Sequence, residues 1–333
     1  MGNRVSVLIP CYNGEAFIDR CLRSVAEQNY PEMEIVVVND GSKDRSEEKI
    51  LLWKTSFEKE GRKFTYICKK NEGVGAAVNT GLKYISGAYL SLIDADDEYL
   101  PGAIAERVSY LDMHPDEDVV RSNGWYVRKS GQVLFINNEE EKSVENIFEA
   151  LLAGTTNNWA GSYMVRTSAL FRFYPDREIY GSRYGQNLQL LLPLTYRKKC
   201  GFIDKPHMNY IQREDSLSQV SDRAIAKEKD LENTRGYYDI RLHMLSEIVK
   251  DQKKLANYRK MVRILYLKSI MHTCVVYQDK TMFKDAYDEK KQYVRPSIDE
   301  KIIYYNFYNK NIAFFFKIIR KIRYFALKIK GGN

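Results

Sequence analysis

Short apolar runs rich in Val and Ile alternate with segments of helical periodicity over the first 113 residues of this 333-residue chain. Each run ends in turn residues, which is typical of buried strands in a parallel sheet. The predicted strands are Val5–Pro10, Glu34–Val38, Phe64–Cys68 and Tyr89–Ile93. The predicted helices are a first one that carries Ile18, Leu22 and Val25, and three more at residues 44–60, 74–86 and 101–113. This alternation predicts an α/β fold, with a mainly parallel sheet flanked by helices.

The charge of the chain changes sign near residue 220. Residues 1–220 carry 27 Lys and Arg against 31 Asp and Glu, whereas residues 221–333 carry 25 against 13. The later segment is poor in Gly and Pro and places apolar residues at steps of three and four, as at Leu255, Tyr258 and Val262, which predicts helices. We therefore expect two domains, an α/β domain over 1–220 and an all-α domain over 221–333.

Carboxylates follow two of the predicted strands, at the strand ends where open α/β sheets bind ligands. Asp94, Asp96 and Asp97 come directly after the fourth strand, and Asp40 follows the second. Crowded carboxylates are costly unless a cation or hydrogen bonds offset their charge, and oxygen ligands favour Mg²⁺ or Mn²⁺. The alternatives are a solvated acidic turn for the three, and for Asp40 a cap on the helix near Asp44. Two such sites at strand ends of one α/β unit favour a site that binds a metal and phosphate.

Four short motifs follow one another within the first 101 residues. They are Pro10-x-Tyr12-Asn13-x-Glu15 with Ile18, Leu22 and Gln28 beyond it, Glu34–Val38 with Asn39-Asp40-Gly41-Ser42, Asn71-x-Gly73 with Asn79-x-Gly81, and Asp94-x-Asp96-Asp97 with Leu100-Pro101. Together they resemble the motifs of the family 2 inverting glycosyltransferases, which have the GT-A nucleotide-sugar fold. The resemblance implies a Rossmann-like mixed sheet and a UDP-sugar as donor. It continues more weakly to about residue 219.

The resemblance also implies roles for individual positions. The positions expected to bind the UDP-sugar are Pro10, Tyr12, Asn13, Glu15, Asp40, Asn71, Gly73 and Asp94. Among these, Asp40 is expected to accept a hydrogen bond from the uracil ring, and Glu15 to lie near the ribose. Asp96 is expected to be the main ligand of Mn²⁺ or Mg²⁺, with Asp94 close to the metal or the ribose. The metal then stabilises the diphosphate as a leaving group.

A late motif, Tyr210-x-x-Arg213-x-x-Ser216-x-Ser218, resembles a loop of the family that closes over the diphosphate. The family often has His at the position of Arg213, and Arg supplies a permanent cation that suits phosphate. A surface ion pair with Glu214 or Asp215 is the alternative interpretation of Arg213.

The residues at the position of the general base differ from the family pattern. The family usually has a Glu-Asp pair before a helix, whereas the matching stretch here is Gly185-Gln186-Asn187. An amide cannot take the proton of an acceptor hydroxyl, a step worth roughly 10²–10⁴ in rate. Either Asp97, Asp176 or Glu178 is the general base, or the enzyme does without a side chain in that role. Gln186 and Asn187 are then expected to hydrogen-bond the acceptor sugar.

The second domain is predicted to be helical at Asp222–Lys250, Asp251–Tyr277, Met282–Tyr293 and from Pro296 to about Lys330. Eleven of the 25 tyrosines lie beyond residue 220, a composition that favours protein interfaces. We therefore expect this domain to form a homo-oligomer or to dock the acceptor. A helical lid on the catalytic domain is the alternative.

Residues 310–330 carry seven basic residues and no acidic one. On a helical wheel the basic residues Lys317, Arg320, Lys321 and Lys328 group together opposite an apolar side, which is typical of a helix that lies on an anionic membrane. A helix packed inside the domain is the alternative. Nucleic acid is not an expected partner, because no recognition motif accompanies the charge.

The sequence also predicts the cellular compartment of the chain. No apolar run reaches the roughly 18 residues that a spanning helix needs, and no signal peptide precedes the first strand. Five cysteines without close spacing predict reduced thiols. We expect a cytoplasmic protein, with peripheral contact at the inner face of the membrane as a further expectation.

The expected function is metal-dependent transfer of a hexose or N-acetylhexosamine from a UDP-sugar to a hydroxyl of a glycan acceptor. The acceptor is expected on a surface glycoprotein or a polysaccharide precursor. The alternatives are transfer to a polyprenyl phosphate and a non-catalytic scaffold that binds UDP-sugar. The missing Glu-Asp pair favours the scaffold, and the intact Asp94 and Asp96 argue against it.

Overall fold

The computed structural model describes residues 3–181, 183–212, 223–309, 311–314 and 316–320. The chain divides into two compact units, one of Met1–Ser216 with His243–Ile248 and one of Leu217–Leu242 with Val249–Asn333. The division near residue 217 lies close to the change in charge. The short segment His243–Ile248, however, belongs with the first unit, which composition alone did not indicate.

The first unit is built on a mixed sheet that has nine strands in the part of the chain described. They are β1 (Val5–Cys11), β2 (Met33–Asn39), β3 (Lys63–Cys68), β4 (Tyr89–Leu92), β5 (Glu98–Tyr99), β6 (Val119–Arg128), β7 (Gly131–Leu134), β8 (Tyr163–Arg166) and β9 (Gly201–Ile211). Their order is β3-β2-β1-β4-β8-β6-β9-β5, with β7 beside β6. Only β5, β7 and β8 run against the others, so the predicted mixed, mainly parallel sheet is confirmed.

Eight helices accompany this sheet in the described residues. They are α1 (Ile18–Ala26), α2 (Ser46–Lys59), α3 (Val74–Leu82), α4 (Ala103–Met113), α5 (Glu139–Lys142), α6 (Phe148–Ala153), α7 (Thr167–Phe173) and α8 (Gln186–Thr195). Helix α3 ends four residues before the predicted end at 86. The cause is that the N–H groups of Ser86 and Gly87 donate to the Glu34 carboxylate instead of continuing the helix.

Glu34 on β2 fixes the start of β4. Its side chain is 1% exposed and accepts from Ser6 Oγ (2.6 Å), Ser86 Oγ (2.8 Å), the Gly87 N–H (3.1 Å) and Lys63 Nζ (2.8 Å). Burial by itself raises the pKa of Glu34, but the bonds from Lys63, Ser6 and Ser86 outweigh burial and lower the pKa to about 2. A single buried carboxylate therefore ties β1, β2 and β3 to the turn before β4.

The second unit consists of helices. They are α9 (Arg223–Ile248), whose last residues belong to the first unit, α10 (Gln252–Tyr277), α11 (Lys280–Tyr293) and α12 (Ile298–Tyr308). Leu267, Met271, Cys274, Phe283 and Tyr287 are among the residues that form its apolar core. None of the described helices is both long enough and apolar enough to cross a membrane.

The prediction of one helix from Pro296 to about Lys330 is wrong. Helix α12 ends at Tyr308, and Asn309 is extended. The Asn309 side chain accepts from the N–H groups of Asn311 (3.2 Å) and Ile312 (3.3 Å), so it caps a separate helical segment that begins there. Of the predicted basic face, Arg320 pairs with Asp299 (2.8 Å), whereas Lys321 and Lys328 lie outside the described residues.

Candidate active site

The carboxyl ends of β1, β2 and β4 meet at one edge of the sheet, because the three strands are parallel and β1 lies between the other two. The N–H of Asp40 donates to the Cys11 carbonyl (2.8 Å), and the N–H of Ile93 donates to the Leu8 carbonyl (3.1 Å). Pro10, Asp40 and Asp94 therefore lie at the same edge.

The loop after β1 is bonded to the loop after β2. The Asn13 N–H donates to Ser42 Oγ (2.9 Å), and Asn13 Oδ1 accepts from the Lys43 N–H (2.9 Å). The Glu15 carboxylate pairs with Arg45 (2.7 Å), and the bonds from the Arg45 backbone and side chain lower the pKa of Glu15. Tyr12 is 45% exposed on the rim of this edge. The structure thus brings Tyr12, Asn13 and Glu15 together beside Asp40.

Asp40 is buried and holds the loop that follows β3. Its carboxylate accepts from the Gly73 N–H (2.8 Å), from the Glu72 N–H (3.1 Å) and from Lys69 Nζ (3.1 Å). Gly41 permits this arrangement, because its φ is +72° and a Cβ there would lie 2.8 Å from the Asn71 nitrogen. Asn71 and Gly73 are therefore placed by Asp40. Sequence reasoning missed Lys69, although it follows β3 at the same edge.

The turn after β4 crowds three carboxylates. The Asp97 N–H closes the turn on the Asp94 carbonyl (3.1 Å), and Arg20 donates to the Asp96 carbonyl (2.5 Å). Burial, and then the Asp96 charge, raise the pKa of Asp94 to about 7. Asp97 is 1% exposed, and burial, followed by the charges of Asp94 and Asp96, raises its pKa well above the ordinary value.

The donor set of this turn fits a divalent cation. Oδ1 of Asp97 accepts from the Ile211 N–H (2.9 Å), but its buried Oδ2 has no hydrogen-bond partner among the described residues. Uncompensated negative charge of this kind is what a cation offsets, and an all-oxygen set suits Mg²⁺ or Mn²⁺. Within the described parts of the chain, no three His, Cys, Asp or Glu side chains form a complete metal site. A cation at Asp94 and Asp96 would therefore need further oxygens from a ligand.

Helix α8 begins at Gln186, in the stretch where the family usually has the Glu-Asp pair that includes the general base. Gly185 precedes it, and Asn187 Oδ1 accepts from the Tyr163 hydroxyl (2.7 Å). Tyr163 is fully buried, and burial, with Asp94 as the next cause, raises its pKa well above the ordinary value. Because its oxygen is engaged, Asn187 presents its NH₂ group, which is a donor. Sequence reasoning missed Tyr163, since no motif marks it.

Not every predicted catalytic residue lies with these groups. Glu178 is exposed and forms an ion pair with Lys83, just beyond the end of α3 that is remote from Gly73, roughly 14 Å along that helix. Asp176 is also exposed. The structure therefore does not bring Glu178 to the carboxylate turn. Arg213 lies outside the described residues.

Residues 6–180 match the sequence model of the family described as "Glycosyl transferase family 2". An uncharacterized glycosyltransferase of Rickettsia typhi is 32% identical over 170 residues, which cover 50% of this chain and 51% of that protein. The minor teichoic acid biosynthesis protein GgaB of Bacillus subtilis is 26% identical over 65% of this chain and 24% of its own length. The chain thus spans about half the length, or less, of these curated relatives.

Among solved structures, residues 1–349 of TarS from S. aureus, in complex with UDP-GlcNAc, have a similar fold. The TM-score is 0.64 and the sequence identity 19%, over 91% of this chain and 86% of that one. At this identity the likeness concerns the fold, which agrees with the predicted GT-A sheet and its C-terminal helical region.

Proposed function

The chain belongs to glycosyl transferase family 2, and on that premise we propose that it is an inverting glycosyltransferase that uses a UDP-sugar and a divalent cation. The sugar is a hexose or an N-acetylhexosamine, and the acceptor is a hydroxyl of a surface polysaccharide precursor. The observation that carries the proposal is the geometry of one sheet edge. Asp40 and the turn Asp94–Asp97 follow the two strands that flank β1, inside the region that matches the family.

The names of similar proteins support the classes of donor and acceptor. The TarS structure contains UDP-GlcNAc, and the B. subtilis relative is named for teichoic acid biosynthesis. A UDP-sugar donor and a glycopolymer acceptor are therefore our proposal for this chain.

In the proposed complex, Asp40 acts on the nucleotide in two ways. It fixes the loop of Asn71 and Gly73 through the Glu72 and Gly73 N–H groups. A bond from the uracil N–H would share an oxygen that these groups already use, so the affinity for UDP depends on both contacts. Tyr12 and Asn13 line the same edge, and Glu15, held by Arg45, lies beside them.

The diphosphate lies at the turn after β4 in this proposal. Asp94 and Asp96 would hold Mn²⁺ or Mg²⁺, which when bound neutralises charge on the departing diphosphate. Arg20 fixes the turn through the Asp96 carbonyl. For Asp97 we propose a positioning role in place of the predicted role as base, because it is 1% exposed and bonded to Ile211.

The donor at Asn187 favours a second candidate function, transfer to a phosphate oxygen. A hydroxyl must lose a proton when its oxygen bonds the sugar, whereas an ionised phosphate oxygen needs no base. Asn187 offers an NH₂ group, since the Tyr163 hydroxyl occupies its oxygen. A polyprenyl phosphate is then the acceptor. A rate of transfer that is independent of pH above the phosphate pKa distinguishes this candidate from the first.

The proposed function is tested by release of UDP from UDP-glucose, UDP-galactose and UDP-N-acetylglucosamine with water as acceptor. We expect release from at least one donor in Mn²⁺, and loss of release in EDTA. Asp96→Asn is expected to abolish it, whereas the control Asp116→Asn, at an exposed carboxylate after α4, keeps it. Tight binding of UDP without any release supports the scaffold instead, and a parent protein that binds no UDP contradicts the proposed function.

A further inference from the structure

Three aromatic side chains, Tyr126, Trp159 and Tyr210, form a cluster at the carboxyl ends of β6 and β9, and a fourth, Phe135, packs on Tyr126 with ring centroids 4.6 Å apart. Tyr126 and Tyr210 are register partners on these strands, with ring centroids 5.9 Å apart. Trp159 lies 4.8 Å from Tyr210 between ring centroids, and its indole N–H donates to the Tyr126 hydroxyl (2.8 Å). All three residues are partly exposed, so the cluster reaches the surface of the first unit.

Backbone bonds fix Trp159. Its carbonyl accepts from the Ser162 N–H (3.0 Å) and hydroxyl (2.7 Å). The Gly161 N–H donates to the Leu92 carbonyl (2.5 Å), and the fully buried Arg107 donates to the Gly161 carbonyl (2.6 Å). Gly161 has a φ of +88°, and a Cβ there would lie 3.0 Å from Met208. The position of Trp159 is therefore set by the strand that leads into Asp94.

The cluster adjoins the carboxylate turn. Asp97 accepts from the backbone N–H of Ile211, the residue after Tyr210. Burial, and after it the charges of Asp97, Asp94 and Asp96, raise the pKa of Tyr210. In the sheet order, β6 and β9 lie on one side of β4, and β1, β2 and β3 lie on the other. The aromatic cluster and the proposed nucleotide site thus flank the carboxylates from opposite sides.

We propose that Trp159, Tyr210 and Tyr126 bind a pyranose ring of the acceptor, next to the sugar that is transferred. This inference rests on the proposed function, which places the donor at β1, β2 and β4. The indole N–H is already bonded within the cluster, so contact with a ligand falls to the rings rather than to an indole donor. A ring face packs on a flat apolar surface, and one side of a pyranose is such a surface, whereas an open-chain polyol presents none. The acceptor therefore carries a ring sugar at this position.

The test is saturation-transfer NMR on the full chain in the presence of UDP and Mg²⁺, which is diamagnetic and leaves the ligand signals sharp. The probes are the methyl β-pyranosides of glucose, galactose and N-acetylglucosamine, with glucitol as the open-chain comparison. We expect a signal from at least one pyranoside and none from glucitol. In Trp159→Leu the pyranoside signal is expected to fall about fivefold or more, and Trp159→Phe, which keeps a ring, to retain most of it.

Trp125→Leu is the matched control, because Trp125 is the neighbour of Tyr126 on β6 and points to the opposite face of the sheet. It is expected to leave the pyranoside signal unchanged, and affinity for UDP is expected to be equal in all variants. The inference is overturned by an unchanged signal in Trp159→Leu, by glucitol binding as well as the pyranosides, or by no pyranoside signal in the parent. A loss of UDP affinity in Trp159→Leu also overturns it, because the rings then bind the nucleotide. The proposed function fails separately, through the UDP-release assay.

Discussion

At the scale of single residues, the sequence left two roles open for Asp40. Its place after β2 indicated a ligand contact, and Asp-Gly also suggested a turn or cap. In the structure its carboxylate is bonded to the Glu72 and Gly73 N–H groups and to Lys69. It therefore acts between two loops, not on its own helix.

We predict that Asp40→Ala weakens binding of UDP by about 1–3 kcal/mol, because it leaves two buried N–H donors unpaired and removes the proposed uracil contact. Isothermal calorimetry measures the affinity, and hydrogen exchange reports whether the Glu72 and Gly73 amides lose protection. The gain in affinity from Mn²⁺ is expected to stay unchanged. Equal affinity in mutant and parent would reduce Asp40 to a turn residue.

Glu178 is the residue for which the structure changes the expectation most. Its carboxylate is paired with Lys83 on the surface, and such pairs contribute about 0–1 kcal/mol. We therefore predict that Glu178→Gln keeps UDP release close to the parent rate and barely changes the melting temperature. A loss of UDP release by two orders of magnitude, the scale expected for a general base, would restore the original assignment.

At the scale of elements, the sequence predicted what short-range patterns determine. The four predicted strands form because their residues are apolar, and β1 and β2 are buried along their whole length. Strands β5 to β9 were not predicted. Among them, β5 has only two residues, and β9 mixes buried and exposed positions without a fixed period. The residues of the candidate site divide in the same way between local patterns, which the sequence shows, and contacts between distant elements, which it does not. Asp94 and Asp96 stand in a motif, whereas the contact of Tyr163 with Asn187 joins distant elements and leaves no local signal.

The ionised Glu34 ties β1, β2 and β3 to the turn before β4. The stability of this part of the sheet therefore depends on pH. The folded pKa of about 2 lies below the ordinary value of 4.5. The contribution is therefore fully present above pH 4.5 and is lost as the pH falls towards 2. The shift corresponds to roughly 3 kcal/mol at neutral pH.

We predict that Glu34→Gln lowers the free energy of unfolding by roughly this amount at pH 6, and by less than half of it at pH 3. Urea denaturation at both pH values measures the difference, and Glu32→Gln, at a partly exposed carboxylate on the same segment, serves as control. A difference that is the same at pH 6 and pH 3 would mean that the charge of Glu34 contributes nothing.

At the scale of the whole molecule, the end of α9 completes the first unit. His243 stacks on Tyr180 (4.1 Å between ring centroids), and Met244 and Leu245 are buried. These residues belong to the first unit although they lie beyond the change in charge near residue 220. A fragment that stops at 220 therefore loses part of its own core.

We predict that a fragment of residues 1–250 binds UDP as tightly as the full chain, whereas 1–220 melts at a lower temperature and aggregates. Thermal melts and UDP titration compare the three proteins. Light scattering tests the proposed role of the second unit in self-association, with more subunits expected for the full chain than for 1–250. A full chain with the same number of subunits as 1–250 would contradict that role.

The central claim is that a UDP-sugar binds at this sheet edge with a cation held by Asp94 and Asp96. The most direct measurement is calorimetric titration of UDP into the parent and Asp96→Ala, each in Mn²⁺ and in EDTA. We predict equal affinities in EDTA, and a gain in Mn²⁺ of about tenfold or more for the parent alone. The same gain in Asp96→Ala would mean that Asp96 does not hold the cation.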